Sequence, residues 1–295
     1  MKTTLDCIPC FVRQAADAVK MSVSSDDERN RLMRNVLRWI SDVDLDQSPP
    51  AISQIIHRRV RELLPIDDPY RAAKDSHNAL AAALIPSIRR RIEASFDPLT
   101  MAVRYAITGN LIDLGAKNGV GFGEIYAELQ SAPMQPIWGD MIAFDKAAAS
   151  AQTILYLADN AGEIFFDRLL IEQLSGAKVT LAVRGMPVIN DATRFDALAA
   201  GLEEIVEIID NGSDAPGTIL QDCSPEFQRR FEAADMIIAK GQGNFESLSD
   251  EPHNIFFLFR IKCPVISQHS GFAVGTYVVT NRFDRRNIPA ERGIQ

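Results

Sequence analysis

Thr153-Ile154-Leu155-Tyr156-Leu157-Ala158-Asp159-Asn160-Ala161-Gly162-Glu163 is the stretch whose reading decides the fold. An apolar run suited to a buried strand passes directly into an acid and an amide. Gly162 and Glu163 then open a helix-periodic segment. In an open α/β sheet, ligands sit outside the carboxyl ends of the strands, where polar side chains converge above an apolar support. An adjacent carboxylate and amide at that place offer the oxygen donors preferred by Mg²⁺ or Mn²⁺. The helix start beside them supplies free N–H groups and positive dipole, which suit a phosphate. Metal-assisted phosphate chemistry is the expectation.

Downstream of this stretch, strands and helices alternate. Strands are expected over 153–158, 178–183, 204–209, 235–240, 254–261, 264–268 and 276–280, with helices over 163–174, 191–201 and 224–234. Strands separated by helices of 10–15 residues indicate parallel βαβ units. Upstream, the pattern is helical over 11–21, 26–40, 51–64, 70–85, 87–95, 99–114 and 123–129. The character changes after Pro133-Met134-Gln135-Pro136. The expected architecture is α/β: an all-helical domain over 1–140 followed by a Rossmann-like, mostly parallel sheet domain over 141–295.

Four successive strands end in polar clusters. The second carries Arg184 and then Asn190-Asp191. Sequential strands usually lie side by side, so Asp191 should meet Asp159 above adjacent strand ends. The plain structural reading is that each acid caps the helix after it. Two neighbouring capping acids without a cation would repel, which favours a bound metal. Arg184 is either a phosphate fork or a partner for one of the acids. The third strand leads into Asp210-Asn211-Gly212-Ser213-Asp214-Ala215-Pro216-Gly217, a tight loop able to wrap a sugar or phosphate, with Ser213 and Asp214 as candidate contacts; a surface turn fits nearly as well. The fourth delivers Lys240-Gly241-Gln242-Gly243-Asn244. Lys240 follows an apolar strand, so its ammonium should point at the same edge as the acids, with Asn244 beside it. In the helical half, Asn110 and Asp113 stand three apart on one helix face.

Some chemistries find no support. Lys240 precedes its glycines, so this is not a P-loop, and no G-x-G-x-x-G follows the first strand, which removes the main support for a dinucleotide. An S-adenosylmethionine methyltransferase would want more glycine there than Gly162. No G-x-S-x-G elbow exists for a serine hydrolase. The histidines (57, 77, 253, 269) form no metal-spaced group. Cys7-Ile8-Pro9-Cys10 is a C-x-x-C, but it precedes a helix and has no second close pair, so a structural role is preferred to a redox or zinc one. A net charge of −8 argues against nonspecific nucleic-acid binding. The 295 residues are 46% hydrophobic and 24% charged, with no apolar run near the roughly 20 residues that span a bilayer. The N-terminus lacks a signal-like apolar stretch, so a cytoplasmic protein without a membrane partner is expected.

Taken in order, Asp6-Cys7-Ile8-Pro9-Cys10, Ala106-Ile107-Thr108-Gly109-Asn110-Leu111-Ile112-Asp113, Asp159-Asn160-Ala161-Gly162-Glu163, Asn190-Asp191 and Lys240-Gly241-Gln242-Gly243-Asn244 resemble one family over about residues 3–280. It is the metal-dependent damage-control phosphatases, also known as domain of unknown function 89, and the C-x-x-C looks like its mostly prokaryotic branch. The resemblance implies a helical domain packed on a Rossmann-like domain with the site between them. It implies hydrolysis of small phosphate monoesters, sugar phosphates or damaged phosphometabolites, with Mn²⁺, Co²⁺, Ni²⁺ or Mg²⁺ as cofactor. The metal ligands so implied are Asp159, Asn160 and Asp191, with Lys240 holding the phosphate and Asn110 in the substrate pocket. The reading is therefore a divalent-metal phosphatase with Asp159 and Lys240 as catalytic residues and Asn110, Arg184, Ser213, Asp214, Lys240 and Asn244 toward substrate. The rivals are a non-catalytic small-molecule-binding protein whose acids cap helices, and a C-x-x-C redox or zinc protein.

Overall fold

The computed structural model describes residues 1–110 and 122–281. Among these, twelve α-helices accompany one seven-stranded sheet. The strands are β1 (Ile137–Gly139), β2 (Thr153–Leu157), β3 (Lys178–Val183), β4 (Glu207–Asp210), β5 (Met236–Lys240), β6 (Ile255–Arg260) and β7 (Tyr277–Asn281), in the spatial order β1-β7-β6-β5-β2-β3-β4. β2 to β6 are parallel; β7 pairs antiparallel with β6, and β1 pairs parallel with β7. The chain steps outward from β2 through β3 to β4, then returns to place β5 on the other side of β2. The switch point of this doubly wound sheet is therefore the gap between β2 and β5, where ligands bind in such folds.

The first three helices, α1 (Ile8–Ser22), α2 (Asp26–Ser41) and α3 (Pro49–Leu63), build a small core of their own around Phe11, Val19, Leu32, Val36, Ile52 and Ile56. Val188 and Ile189, from the loop after β3, complete that core. Local chemistry sets these helices up: Ser25 caps α2 by accepting from the Glu28 N–H, and acids fill its first turn. α4 (Arg71–Glu93) and α5 (Pro98–Gly109) behave differently, since Leu84, Ile88, Val103 and Ile107 join the core on one face of the sheet. α6 (Phe122–Ser131), α7 (Met141–Ser150), α8 (Glu163–Ile171) and α9 (Arg194–Ala199) follow, all contributing residues to the same face. The opposite face is covered by α10 (Pro225–Ala233), α11 (Gly241–Leu248) and α12 (Pro264–Ser270), through Phe227, Phe231, Phe245, Leu248 and Ile266. Side chains of each strand alternate between the two cores: Ile154 and Tyr156 on one side, Leu155 and Leu157 on the other.

Three details differ from the sequence expectation. Helices 70–85 and 87–95 are one helix, α4, with Pro86 inside it. The strand expected over 264–268 is the helix α12, because Pro264 occupies its first turn and Gly271, at φ +78°, closes it. β1 and α7 were not anticipated. Asp113 and the end of the helix expected over 99–114 lie outside the described residues. Among the described residues no helix is long and apolar enough to cross a membrane.

Candidate active site

The carboxyl ends of β2 and β3 are stitched together by backbone hydrogen bonds. Ala192 N–H donates to Asp159 O (2.8 Å), and Ala161 N–H donates to Asn190 O (2.9 Å). Asn160 and Asp191 thus face each other in an isolated bridge, so the two motifs are brought to one place by main chain, independent of their side chains. The strand ends that carry Asp159 and Asp191 are adjacent, as the sequence led us to expect. Both carboxylates are buried, as is Asn160.

Burial and the charges of Glu163 and Asp191 hold the Asp159 carboxyl well above its ordinary value. Its Oδ2 accepts from Asn160 Nδ2 (2.7 Å) and from Asn110 Nδ2 (2.8 Å). Asn110 stands at the C-terminus of α5, and its Oδ1 is buried without a hydrogen-bond partner among the described residues. Asn160 Oδ1 accepts from Asn190 Nδ2 (2.9 Å). On the other acid, Asp191 Oδ2 accepts from Arg184 Nε (2.7 Å), and the remaining Arg184 nitrogens reach Thr218 Oγ1 and Asn244 Oδ1 at 3.4 Å each. Of the two roles open to Arg184, the structure shows the acid's partner. Asn244 joins two strand ends by donating to the carbonyls of Lys240 (2.7 Å) and Ala158 (3.3 Å).

A divalent cation fits this donor set. Two buried carboxylates and an amide are hard oxygen ligands, and crowding further acids round the buried Asp159 carboxyl is unfavourable unless positive charge offsets it. The unpartnered Asn110 oxygen adds an acceptor at the same place. Asn160 turns its nitrogen to Asp159 and Glu163, and its Oδ1, with one lone pair taken by Asn190, keeps a second to offer a cation. Among the described residues, no group of three or more His, Cys, Asp and Glu is arranged for a metal; the set depends on the asparagine.

Lys240 does not stand where the sequence reading put it. Its side chain is 0% exposed, and its ammonium donates to Ala106 O (2.9 Å), to Glu163 Oε1 (2.8 Å) and to Asp167 Oδ1. An ammonium has three N–H groups, and all three are used. Burial alone would lower the Lys240 pKa, but Asp167 and Glu163 hold it above the usual lysine value. The expected free cation at the rim is instead a charge buried beneath it, because the chain presents two acids at i and i+4 of α8 toward the strand end.

Ser213 and Asp214 are also committed elsewhere. Asp214 Oδ1 accepts from Arg58 Nε (2.7 Å) and Gln54 Nε2 (2.9 Å), and its Oδ2 from Arg61. Ser213 Oγ donates to Asp222 Oδ2 (2.6 Å) and accepts from Gln54 (3.2 Å). The loop after β4 is a tie to α3 rather than a wrap around a sugar or phosphate. The reason is the Gln54, Arg58, Arg61 series on one face of α3, which reaches across to this loop.

Sequence reasoning named Glu163 only as the opening of a helix and missed Asp167, Tyr156 and Asn78. Glu163 Oε2 accepts from both Asn160 Nδ2 (2.9 Å) and Asn110 Nδ2. Asn78 Oδ1 accepts the Gly162 N–H (2.7 Å) where α8 begins. The available signal was Asp167 itself, a lone acid inside the apolar run Ile164-Phe165-Phe166-Asp167. Cys7 is half-buried and Cys10 exposed, both as free thiols.

Parallel strands, a switch point rimmed by buried acids, and helices closing over that rim define an α/β protein with its site at the carboxyl edge of the sheet. The chain belongs to the damage-control phosphatase ARMT1-like domain family, whose description matches residues 3–278. It is 34% identical over 292 residues to damage-control phosphatase PH1575 of Pyrococcus horikoshii, covering 96% of this chain and 99% of that one. It is 32% identical to a damage-control phosphatase of Archaeoglobus fulgidus, covering 94% and 98%, and 33% identical to the uncharacterized protein MJ0202 of Methanocaldococcus jannaschii. The crystal structure of a DUF89 family protein from P. horikoshii superimposes with a TM-score of 0.88 over 96% of this chain, at 32% identity.

Proposed function

We propose that this chain is a divalent-metal-dependent phosphatase that hydrolyses small phosphate monoesters, sugar phosphates or damaged phosphometabolites. The observation that carries the proposal is the main-chain clamp that sets Asp159-Asn160 against Asn190-Asp191 at the switch point. Family membership and relatives named as damage-control phosphatases support it.

In this reading Asp159, Asn160 and Asp191 hold Mn²⁺, Co²⁺, Ni²⁺ or Mg²⁺. Such an ion, when bound, polarises a phosphoryl oxygen and lowers the pKa of a coordinated water. The protein's own groups do the rest. Arg184 aims Asp191 by its 2.7 Å hydrogen bond. α11 starts at the rim, and its first turn directs N–H groups and positive dipole toward an incoming phosphate. Asn110 closes the site from the helical side. Water, positioned at Asp159, is the nucleophile. Lys240 contributes from below by setting Glu163, and its charge is spent on the two acids of α8.

The test is hydrolysis of p-nitrophenyl phosphate with each divalent ion in turn. Asp159→Ala is expected to abolish metal-dependent turnover while circular dichroism stays native. Asp191→Ala should lose the rise in melting temperature that Mn²⁺ gives the parent protein. Retained activity in folded Asp159→Ala overturns this site.

A further inference from the structure

Beneath the candidate site lies a buried chain of polar contacts. Tyr156 Oη donates to Asp167 Oδ1 (2.8 Å), and the same oxygen accepts from Lys240 Nζ. Lys240 in turn donates to Glu163 Oε1, and Glu163 Oε2 takes amide hydrogens from Asn160 and Asn110. Tyr156, Asp167 and Lys240 have 0% exposure and Glu163 1%. A charge cluster so far from water costs free energy unless each member is paired, and an unneeded one is readily replaced by apolar residues of similar volume. Three ends converge on it: the C-terminus of α5 through Ala106 O, the first turn of α8 through Glu163, and the end of β5 through Lys240 itself.

We infer that Asp167, which touches neither metal ligand nor substrate, is a positioning residue: it anchors the Lys240 ammonium, so that Lys240 fixes the Glu163 carboxylate that sets the amides of Asn160 and Asn110 against Asp159. Without Asp167, an ammonium with three donors has only Ala106 O and Glu163, and Tyr156 Oη loses its acceptor. Lys240 then has room to swing, and Glu163 follows it. Glu163 accepts from both site amides, as Asp159 itself does, so it is the carboxylate that holds them from behind the metal ligand. Displacing it releases Asn160, whose amide must present an oxygen to a cation. Groups that orient metal ligands from behind typically matter by about 10–100-fold in affinity or rate. The same geometry says that Lys240 is unavailable to hold phosphate, because freeing it would leave two acids of α8 buried with no cation.

This inference rests on the metal-phosphatase reading, and its test separates the two. The full chain is made as Asp167→Ala and Asp167→Asn; the amide keeps an acceptor oxygen at the same place. Mn²⁺ binding is titrated calorimetrically without substrate. Then kcat and KM for p-nitrophenyl phosphate at saturating Mn²⁺ and the inhibition constant of inorganic phosphate are measured. For Asp167→Ala we expect Mn²⁺ binding and kcat each to fall by about 10-fold or more, while KM and phosphate inhibition stay within about 3-fold. Asp167→Asn should recover most of both. Unchanged Mn²⁺ binding and kcat in a folded Asp167→Ala overturn the inference, since Asp167 then only fills space. A rise confined to KM and the phosphate constant also overturns it, because Lys240 would then be serving the phosphate. Should Asp167→Ala fail to fold, Asp167→Leu, which fills the same space without an acceptor, takes its place in the same measurements. Unaltered Mn²⁺ binding and kcat there reject the positioning role. If the parent protein binds Mn²⁺ but hydrolyses no ester, the phosphatase reading fails while the effect of Asp167 on metal binding can still be read.

Discussion

At the scale of single residues, the tightest constraint on the site is Gly241. It opens α11 at φ +78°, a conformation that side-chain-bearing residues rarely adopt. A Cβ there would lie 2.0 Å from Asp159 Oδ2 and 2.7 Å from Oδ1. Asp159 cannot step aside freely, because Asn160 and Asn110 both hold its Oδ2. Gly241→Ala is therefore expected to cost roughly 1–3 kcal/mol through backbone strain and the clash. Its effect on turnover should be larger, about 100-fold in kcat/KM, since it displaces a ligand by a sizeable fraction of an ångström. Gly176, with nothing within 4 Å of its notional Cβ, is the control: Gly176→Ala should leave kcat/KM unchanged. Equal losses in both variants would sink the argument. The site was partly legible at this scale. Asp159, Asn160 and Asp191 announce themselves as acids and amides at strand ends, a pattern set by chain direction and period alone. Lys240, Ser213 and Asp214 were misplaced, because a side chain's partner depends on which helix packs over it. Nothing in the local sequence says that α8 turns Asp167 toward a lysine 73 residues away, or that α3 lays Arg58 and Arg61 across Asp214.

At the scale of elements, α4 illustrates how tertiary packing overrides a local signal. Pro86 lacks the N–H that would bond the carbonyl four residues back, and its ring crowds that turn. The helix nevertheless runs on from Arg71 to Glu93, because Ala81, Leu84, Ile88 and Ile92 are buried on one face. Pro86 is exposed and makes no contribution to that core. Pro86→Ala should thus raise the unfolding free energy by roughly 1–2 kcal/mol, read from a urea midpoint shift at unchanged slope. A neutral or destabilising result would mean that the helix is shaped around the proline. Most of the fold was readable at this scale: β2, β3, β5 and β6 and the helices between them follow from apolar runs alternating with helix-periodic ones. What was lost had a reason. Val265 and Ile266 favour a strand by side-chain type, while Pro264 and Gly271, which frame a helix, carry the decisive information. β1 is three residues long at the sheet's edge, too short for period 2 to show.

At the scale of the whole molecule, two sets of carboxylates oppose each other in pH dependence. The seam between the helices and the strand-end loops is held by Asp196, Asp214 and Asp222. Asp196 meets Arg71 and Asn78, and the other two share Arg58 and Gln54. Burial alone would raise these carboxyls, but it is outweighed: the Lys74 charge and Thr193 bonds pull Asp196 below its ordinary value, the Arg58 and Gln54 bonds Asp214, and the Ser213 and Arg58 bonds Asp222. A depressed acid stabilises the fold above its unfolded pKa of about 4, and that stability is lost as pH falls through the lower folded value. Glu246 and Asp167 act the other way, since burial pushes them up to about 7 and about 6. Such acids are retained protonated by the folded state, so stability declines as pH rises from about 4 toward those values. The two windows meet, and maximal stability is expected near pH 5. The fall from pH 5 to pH 8 should be on the order of 2 kcal/mol in urea unfolding without added metal. Glu246→Gln should flatten the alkaline arm alone, because it removes a titration that lies only there. Asp214→Asn should flatten the acid arm alone. A maximum above pH 7, or one variant altering both arms equally, would show that the seam and the buried acids do not govern the profile. The opposition has a structural cause: the acids that join the two halves sit beside arginines and a lysine at the seam. Asp167, wholly inside the sheet domain, and Glu246, half-buried on α11, are instead governed by desolvation, which for Asp167 outweighs even the Lys240 ammonium.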